Sequence, residues 1–235
     1  MGSKPMGSLE PATARQALKT PRAAAIAGIA FAVLLSVSLV LIRLALIANA
    51  DQRVAGVWAT DSVHRNLVIF ALNLIPYAGI AFLWFIGVVR DRMGQYEDRF
   101  FATVFLGSGL LFVAMLFAGA AVAGGTIAAL ANSSGSLSNG AWQLNREVTH
   151  SLLTIYAMRM AAVFTISTAT MALRIAIMPR WIALLGYACA IVLLLSAGFV
   201  PWTEMLFPGW VLVVSVYILV ASLRAQRTTP TEIST

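Results

Sequence analysis

Two arginines interrupt long apolar runs of the sequence, where a charge needs a partner or a function. Arg43 lies near the end of the run that begins at residue 23, and Arg159 lies within the run that begins at residue 151. If these runs cross a membrane, each guanidinium must reach the interface, meet an acceptor or line a water-filled cavity. We therefore treat Arg159 as a candidate binding charge for an anion or small polar solute. Arg43 is either a guide for that solute or an interfacial anchor.

Glu204 is the acidic residue best placed to pair with either arginine. It lies in segment 201–210, which contains two prolines and is too apolar for a solvated loop. A segment of this kind is tolerated inside a membrane only where protein covers it or where it lines a water-filled cavity. It is therefore a candidate re-entrant segment. A pair between Glu204 and an arginine would either hold the helices together or couple and gate solute binding.

Asn73 and Tyr156 are the neutral side chains that we expect near Arg159. Asn73 lies three residues before Pro76, whose missing N–H leaves the carbonyl of Leu72 without its helical donor. Tyr156 lies three residues before Arg159, on the same face of a predicted helix. Together with Arg43 and Glu204, these residues form the predicted ligand-binding set.

The two histidines lie at predicted helix starts on the opposite side from most basic residues. His64 is followed by Arg65, and His150 lies three residues after Glu147. Imidazole and carboxylate groups suit zinc, so His64, His150 and Glu147, with Asp51 and Asp61, are outer-face candidates for a membrane enzyme. Because their spacing matches no known motif, we assign no catalytic residue, no metal and no cofactor.

Several membrane-enzyme and cofactor classes lack the residues that they require. The only cysteine, Cys189, has no partner for a disulfide or a redox pair. No apolar run contains the paired histidines that axial haem ligation needs, or the lysine that retinal needs, and no glycine-rich phosphate-binding loop is present. An intramembrane serine protease is also excluded, because Gly107-Ser108-Gly109 is preceded by Leu106 and no histidine lies inside a later predicted helix.

The elements that would position these residues are helices that cross a membrane. Of the 235 residues, 60% are hydrophobic and 11% are charged, and the mean hydropathy of +0.87 excludes an ordinary soluble domain. Apolar runs of about 20 residues are long enough to span a bilayer. We predict an all-α protein with six transmembrane helices at 23–48, 67–89, 101–128, 151–177, 181–200 and 209–224. Residues 1–22 form a predicted flexible tail, 23–224 one transmembrane domain, and 225–235 a second tail.

The basic residues give the predicted orientation. Eleven of the 16 lie in the tails and in alternate connections, against three on the other side. The eleven are Lys4, Arg15, Lys19, Arg22, Arg90, Arg92, Arg99, Arg174, Arg180, Arg224 and Arg227. By the positive-inside rule both termini are cytoplasmic. Because the net charge of +7 is spread over short connections, it does not indicate nucleic-acid binding. The high arginine and alanine content indicates a bacterial cytoplasmic membrane.

Small residues recur at helical spacing and predict close helix packing. Ala24, Gly28 and Ala32 are four residues apart, and a second stripe joins Ala161, Thr165, Thr168 and Ala172. These faces favour a non-enzymatic structural, accessory or regulatory subunit, associated with a protein partner or a second copy. A transporter or channel that uses Arg159, Arg43 and Glu204 is the first alternative. An enzyme that uses His64 and His150 is the second.

Overall fold

The computed structural model describes residues 10–44, 62–93, 99–132, 138–175, 178–196 and 198–227. In these ranges all regular secondary structure is helical, which confirms the predicted all-α class. Six helices follow one another, and all but the fourth are uninterrupted α-helix. They are α1 (Glu10–Ile42), α2 (Ser62–Met93), α3 (Arg99–Asn132), α4 (Asn139–His150, Ser151–Tyr156 and Ala157–Arg174), α5 (Arg180–Ser196) and α6 (Leu206–Arg227).

The first helix begins well before the apolar run. The tail predicted through residue 22 is helical from Glu10, because residues 12–19 are mostly strong helix formers and Pro11 fits a first turn. The α-helix ends at Ile42, and Arg43 and Leu44 continue it with π geometry. The predicted end at residue 48 lies outside the described residues, as do Asp51 and Asp61.

The fourth helix is the largest correction to the predicted spans. The connection predicted from residue 129 to residue 150 is helical at both ends, because α3 continues to Asn132 and α4 begins at Asn139. Residues 139–150 form a polar, amphipathic helix, a pattern that a search for continuous apolar runs misses. Ser138 caps this helix by accepting a hydrogen bond from the N–H of Ala141 at 3.3 Å.

The last two helices are joined by a short turn at 198–202. α5 ends at Ser196, four residues before the predicted end, and a 3₁₀ turn at Thr203–Met205 leads directly into α6. The segment considered as re-entrant is therefore a tight turn and the beginning of the last helix. Pro208 fits there because the first turn of a helix has N–H groups without helical acceptors.

The six helices form a closed ring in chain order. Each helix packs against the next, and α6 packs against α1. Phenylalanines from α1, α2, α3, α4 and α6 fill the centre, where the ring centroid of Phe82 lies 4.5 Å from that of Phe31 and 5.0 Å from that of Phe164. Phe112 and Phe207 complete the contact, with centroids 4.9 Å apart. We call these five side chains the phenylalanine cluster, and all of them are fully buried.

The small-residue stripes pack inside the ring. Gly28 faces α6 and α2 so closely that a Cβ there would overlap Ser215 Oγ and the ring of Phe85. The stripe on α4 is also buried, and its hydroxyls donate to carbonyls of their own helix, Thr165 to Ala161 at 2.8 Å and Thr168 to Phe164 at 2.7 Å. This geometry fits the close helix packing predicted for the stripe.

In the part of the chain that the structure describes, five helical segments are long and apolar enough to cross a membrane. They are Arg22–Ile42, Ser62–Arg90, Ala102–Ala131, Gly140–Arg174 and Thr203–Arg224. α5, at Arg180–Ser196, is apolar but shorter, with 17 residues. The apolar helices therefore indicate a helical membrane protein.

Candidate functional site

An ion pair joins the end of the first helix to the beginning of the last. Nη1 of Arg43 donates to Oε1 of Glu204 at 2.5 Å, and the two side chains are only 15% and 4% exposed. The guanidinium carbon also lies 5.2 Å from the ring centroid of Trp202, a distance typical of a cation–π contact. Of the two pairings considered for Glu204, the structure has the one with Arg43.

Backbone geometry explains why the two charges occupy these positions. Arg43 follows the last residue of the α1 helix, where carbonyl oxygens carry partial negative charge, and Glu204 lies in the turn that begins α6, where N–H groups carry partial positive charge. Each side chain therefore complements the dipole of its own helix. The two helix ends are adjacent because α1 packs against α6.

The turn before Glu204 holds two residues in left-handed conformations. Gly198 has φ of 87° and Trp202 has φ of 71°, the latter rare for a residue other than glycine. At Gly198 a Cβ would lie 2.6 Å from Cγ1 of Ile155, so glycine is needed both for the conformation and for the close approach to α4. Strained residues such as Trp202 are concentrated at ligand-binding and active sites.

The fourth helix contributes a π-helical segment to the same region. Residues 151–156 form i→i+5 hydrogen bonds within an otherwise α-helical element. Such segments are frequent at functional sites. His150 precedes the segment, and Thr154 within it is buried and donates to the carbonyl of His150 at 2.7 Å. The π segment therefore presents His150 and Thr154 to the ion pair.

These groups surround a cavity of about 180 Å³. Arg43, His150, Thr154, Gly198, Phe199, Val200, Pro201 and Glu204 line it, and we call it the Arg43–Glu204 pocket. The cavity has the volume of about six water molecules in the liquid. Phe207, one turn after Glu204, belongs to the phenylalanine cluster, so packed aromatic rings lie in the bundle just beyond the pocket. The arrangement is a polar chamber at one end of an apolar, filled bundle.

Arg159 lies outside this pocket. It is exposed on the outer surface of the ring, nine residues and about 13 Å along α4 from His150. The Nδ2 of Asn73 donates to the carbonyl of Ile69 in its own helix at 3.0 Å, not to Arg159. Tyr156 is exposed together with Arg159, as the helical spacing predicts. The predicted binding set is therefore divided, with Arg43 and Glu204 in the pocket and the other three residues on the bundle surface.

The outer-face histidine set is divided as well. His150 lines the pocket, whereas His64 does not, and Glu147 is exposed and accepts a hydrogen bond from Arg146 at 3.1 Å. Within the described ranges, no group of three or more histidine, cysteine, aspartate or glutamate side chains is arranged to hold a metal ion. A zinc-dependent enzyme gains no support from this geometry.

Comparisons with known proteins do not assign the pocket. No protein-family model, no curated protein and no solved structure matches the chain. The function must therefore be inferred from the site itself.

Sequence reasoning missed the role of Thr154 and the neighbourhood of His150. No local signal marked Thr154, since threonines inside apolar helices usually donate to their own backbone, as Thr165 and Thr168 do. The histidine carried a usable signal, because its predicted position at a helix start placed it at the same membrane depth as Arg43 and Glu204.

Proposed function

We propose that this protein is a six-span membrane transporter that admits a small polar solute to the Arg43–Glu204 pocket from outside the cell. The observation that carries the proposal is the pocket itself, in which two opposite charges and a histidine surround a cavity at the end of a filled apolar bundle. Ionisable groups at such positions commonly mark substrate pathways. The phenylalanine cluster argues against an open channel, because five contacting rings occupy the axis.

The six-span arrangement is supported by which helix ends meet at the pocket. α4 runs from the pocket, at His150, to Arg174, and α5 then returns to the pocket at Gly198. α5 must therefore cross the whole bundle, and its 17 residues are within the range of known spans. Because α1 and α5 end at the pocket while α6 begins there, the beginning of α1 and the end of α6 lie on the opposite side. The positive-inside rule makes that side cytoplasmic.

Solute binding is tested with the purified chain in lipid nanodiscs. Melting temperature is measured against a panel of small anionic, cationic, zwitterionic and neutral solutes. We expect at least one solute to stabilise the wild type and the Arg159→Gln control, but not the doubly substituted R43Q/E204Q protein. The same solute should accumulate in proteoliposomes that contain the wild type. The assignment of the pocket would be contradicted by a solute that still stabilises R43Q/E204Q but no longer stabilises the Arg159→Gln variant.

Orientation is tested by cysteine accessibility in intact cells. The native Cys189 is replaced by alanine, and single cysteines are introduced at Gln143, which is exposed near the beginning of α4, and at Arg224 near the end of α6. A membrane-impermeant maleimide should label position 143 in intact cells and position 224 only after lysis. The reverse pattern would place the pocket on the cytoplasmic side.

A second candidate function is that of an accessory or structural subunit, and the position of Arg159 favours it. Arg159 and Tyr156 face outward from the bundle at a position where a guanidinium exposed to lipid is costly. A second copy of the chain, packed against this face, would shield the guanidinium from lipid. This candidate predicts that Arg159→Glu weakens self-association in bilayers, as measured by energy transfer between labelled copies at high lipid dilution. An unchanged association constant would refute it.

A further inference from the structure

We infer that the solute is a small zwitterion whose carboxylate binds Arg43 and whose cationic group binds Glu204. This inference rests on the proposed function and adds the chemical class of the ligand. It follows from the charges that line the pocket, from the hydrogen-bonding groups still available there and from the cavity volume.

The ion pair leaves hydrogen-bonding capacity on both partners. Among the described residues, Arg43 makes one side-chain hydrogen bond, through Nη1, whereas a guanidinium carries five N–H donors. Glu204 accepts through Oε1 alone, so Oε2 is available. The guanidinium carbon lies over the ring of Trp202, and a contact of this kind uses none of the N–H donors. A carboxylate is the group that the guanidinium binds best, because it accepts two parallel N–H bonds.

The balance of charge in the pocket disfavours a simple ion. An anion beside Arg43 would lie close to the carboxylate of Glu204, and a cation beside Glu204 would lie close to the guanidinium. Either ion would leave one protein charge poorly compensated in a largely buried site, which is costly. A ligand with both charges compensates both partners. It can also open their mutual hydrogen bond without leaving either side chain unpaired.

The other polar groups around the pocket fit the same ligand. His150 lies within range of two acids, Glu147 and Glu204, and of two arginines, Arg43 and Arg146. In the described part of the chain no hydrogen bond to its ring nitrogens is present, so the imidazole is available to bond a polar group of the ligand. Thr154 also lines the pocket, and its hydroxyl oxygen, which donates to the carbonyl of His150, can still accept a hydrogen bond.

The cavity volume indicates a small ligand. A cavity of about 180 Å³ has the volume of about six water molecules in the liquid, at about 30 Å³ each. Alanine and β-alanine each contain six non-hydrogen atoms, so both are small enough to enter. Phe199 and Val200, which also line the pocket, offer apolar contacts to the carbon chain of such a ligand.

The test compares probes of similar size and different charge on the wild type and on single variants in nanodiscs. The probes are alanine, β-alanine, propionate and isopropylammonium, and binding is measured calorimetrically. We expect alanine or β-alanine to bind the wild type at least about tenfold more tightly than either ion. The Arg43→Gln variant should lose about 10- to 100-fold in zwitterion affinity, the value of one or two charge-assisted hydrogen bonds.

The decisive variant is Glu204→Gln. This variant leaves Arg43 without its carboxylate partner, so the pocket should bind propionate more tightly than the zwitterion. The Arg159→Gln control should still bind the zwitterion more tightly, as the wild type does. Propionate or isopropylammonium binding best to the wild type, with loss in R43Q/E204Q, would overturn the zwitterion and leave solute binding intact. No binding of any probe, together with no response to the wider solute panel, would overturn both.

Discussion

Removing Arg43 alone should destabilise the protein more than removing both partners of the Arg43–Glu204 pair. Arg43→Gln leaves a carboxylate that is 4% exposed without a cation, and we expect a loss of about 3 kcal/mol, near the lower end for breaking a buried pair. Glu204→Gln should cost about 2 kcal/mol, because Arg43 is more exposed and keeps its contact with Trp202. The double variant R43Q/E204Q should cost about 2 kcal/mol, since it strands no charge. The coupling free energy is then about 3 kcal/mol.

The assay is reversible unfolding in mixed micelles by titration with sodium dodecyl sulfate, followed by tryptophan fluorescence and by helical circular dichroism. Arg159→Gln is the matched control, since it removes the same charge from an exposed position, and its effect should be within about 0.5 kcal/mol. Additive effects of the two single substitutions would show that the charges do not stabilise each other. A control as costly as Arg43→Gln would show that the loss is not specific to the pair.

Three further predictions concern the packing of the ring. Gly28→Ala should destabilise by about 2 kcal/mol through overlap with α6 and α2, whereas Gly87→Ala, where nothing lies within 4 Å of the added Cβ, should be neutral or stabilising; the same unfolding titration checks both. Phe82→Ala removes a ring that contacts the other four members of the phenylalanine cluster, and a loss of about 3 kcal/mol is expected; restored stability on adding benzene would confirm a cavity. Tyr187→Phe removes the 2.7 Å hydrogen bond to Thr170 and should cost about 0.6 kcal/mol in unfolding free energy. Adding Thr170→Val to this variant should cause no further loss, because the hydrogen bond is already absent.

Much of the fold followed from hydropathy, and the exceptions have a common physical cause. A continuous apolar run identifies a helix whose every face is surrounded by lipid or by other helices. Residues 139–150 are amphipathic, so only their 3.6-residue period identifies a helix there. The same reasoning made Glu204 a candidate partner for Arg43 or Arg159, because an isolated charge in a membrane is costly and the sequence offers few acidic residues.

The lateral position of each side chain could not be obtained in the same way. Hydropathy gives depth along a helix but not direction around it, because lipid tails are as apolar as leucine. Arg159 was therefore expected inside the bundle and lies outside it, and Asn73 was expected to face Arg159 and bonds its own helix. The phenylalanine cluster was missed for the same reason, since its members come from five helices and share no sequence pattern.

The π segment at 151–156 gives α4 a register offset between its two ends. Hydrogen bonds that skip five residues accommodate more chain per turn than those that skip four. If the segment shifted its register by one residue toward α geometry, the part of the helix beyond it would rotate by about 100° relative to His150. Thr165 and Thr168 would then leave the faces that they now bury, and Phe164 would turn out of the bundle axis. The π segment thus sets the direction in which each half of α4 faces relative to the other.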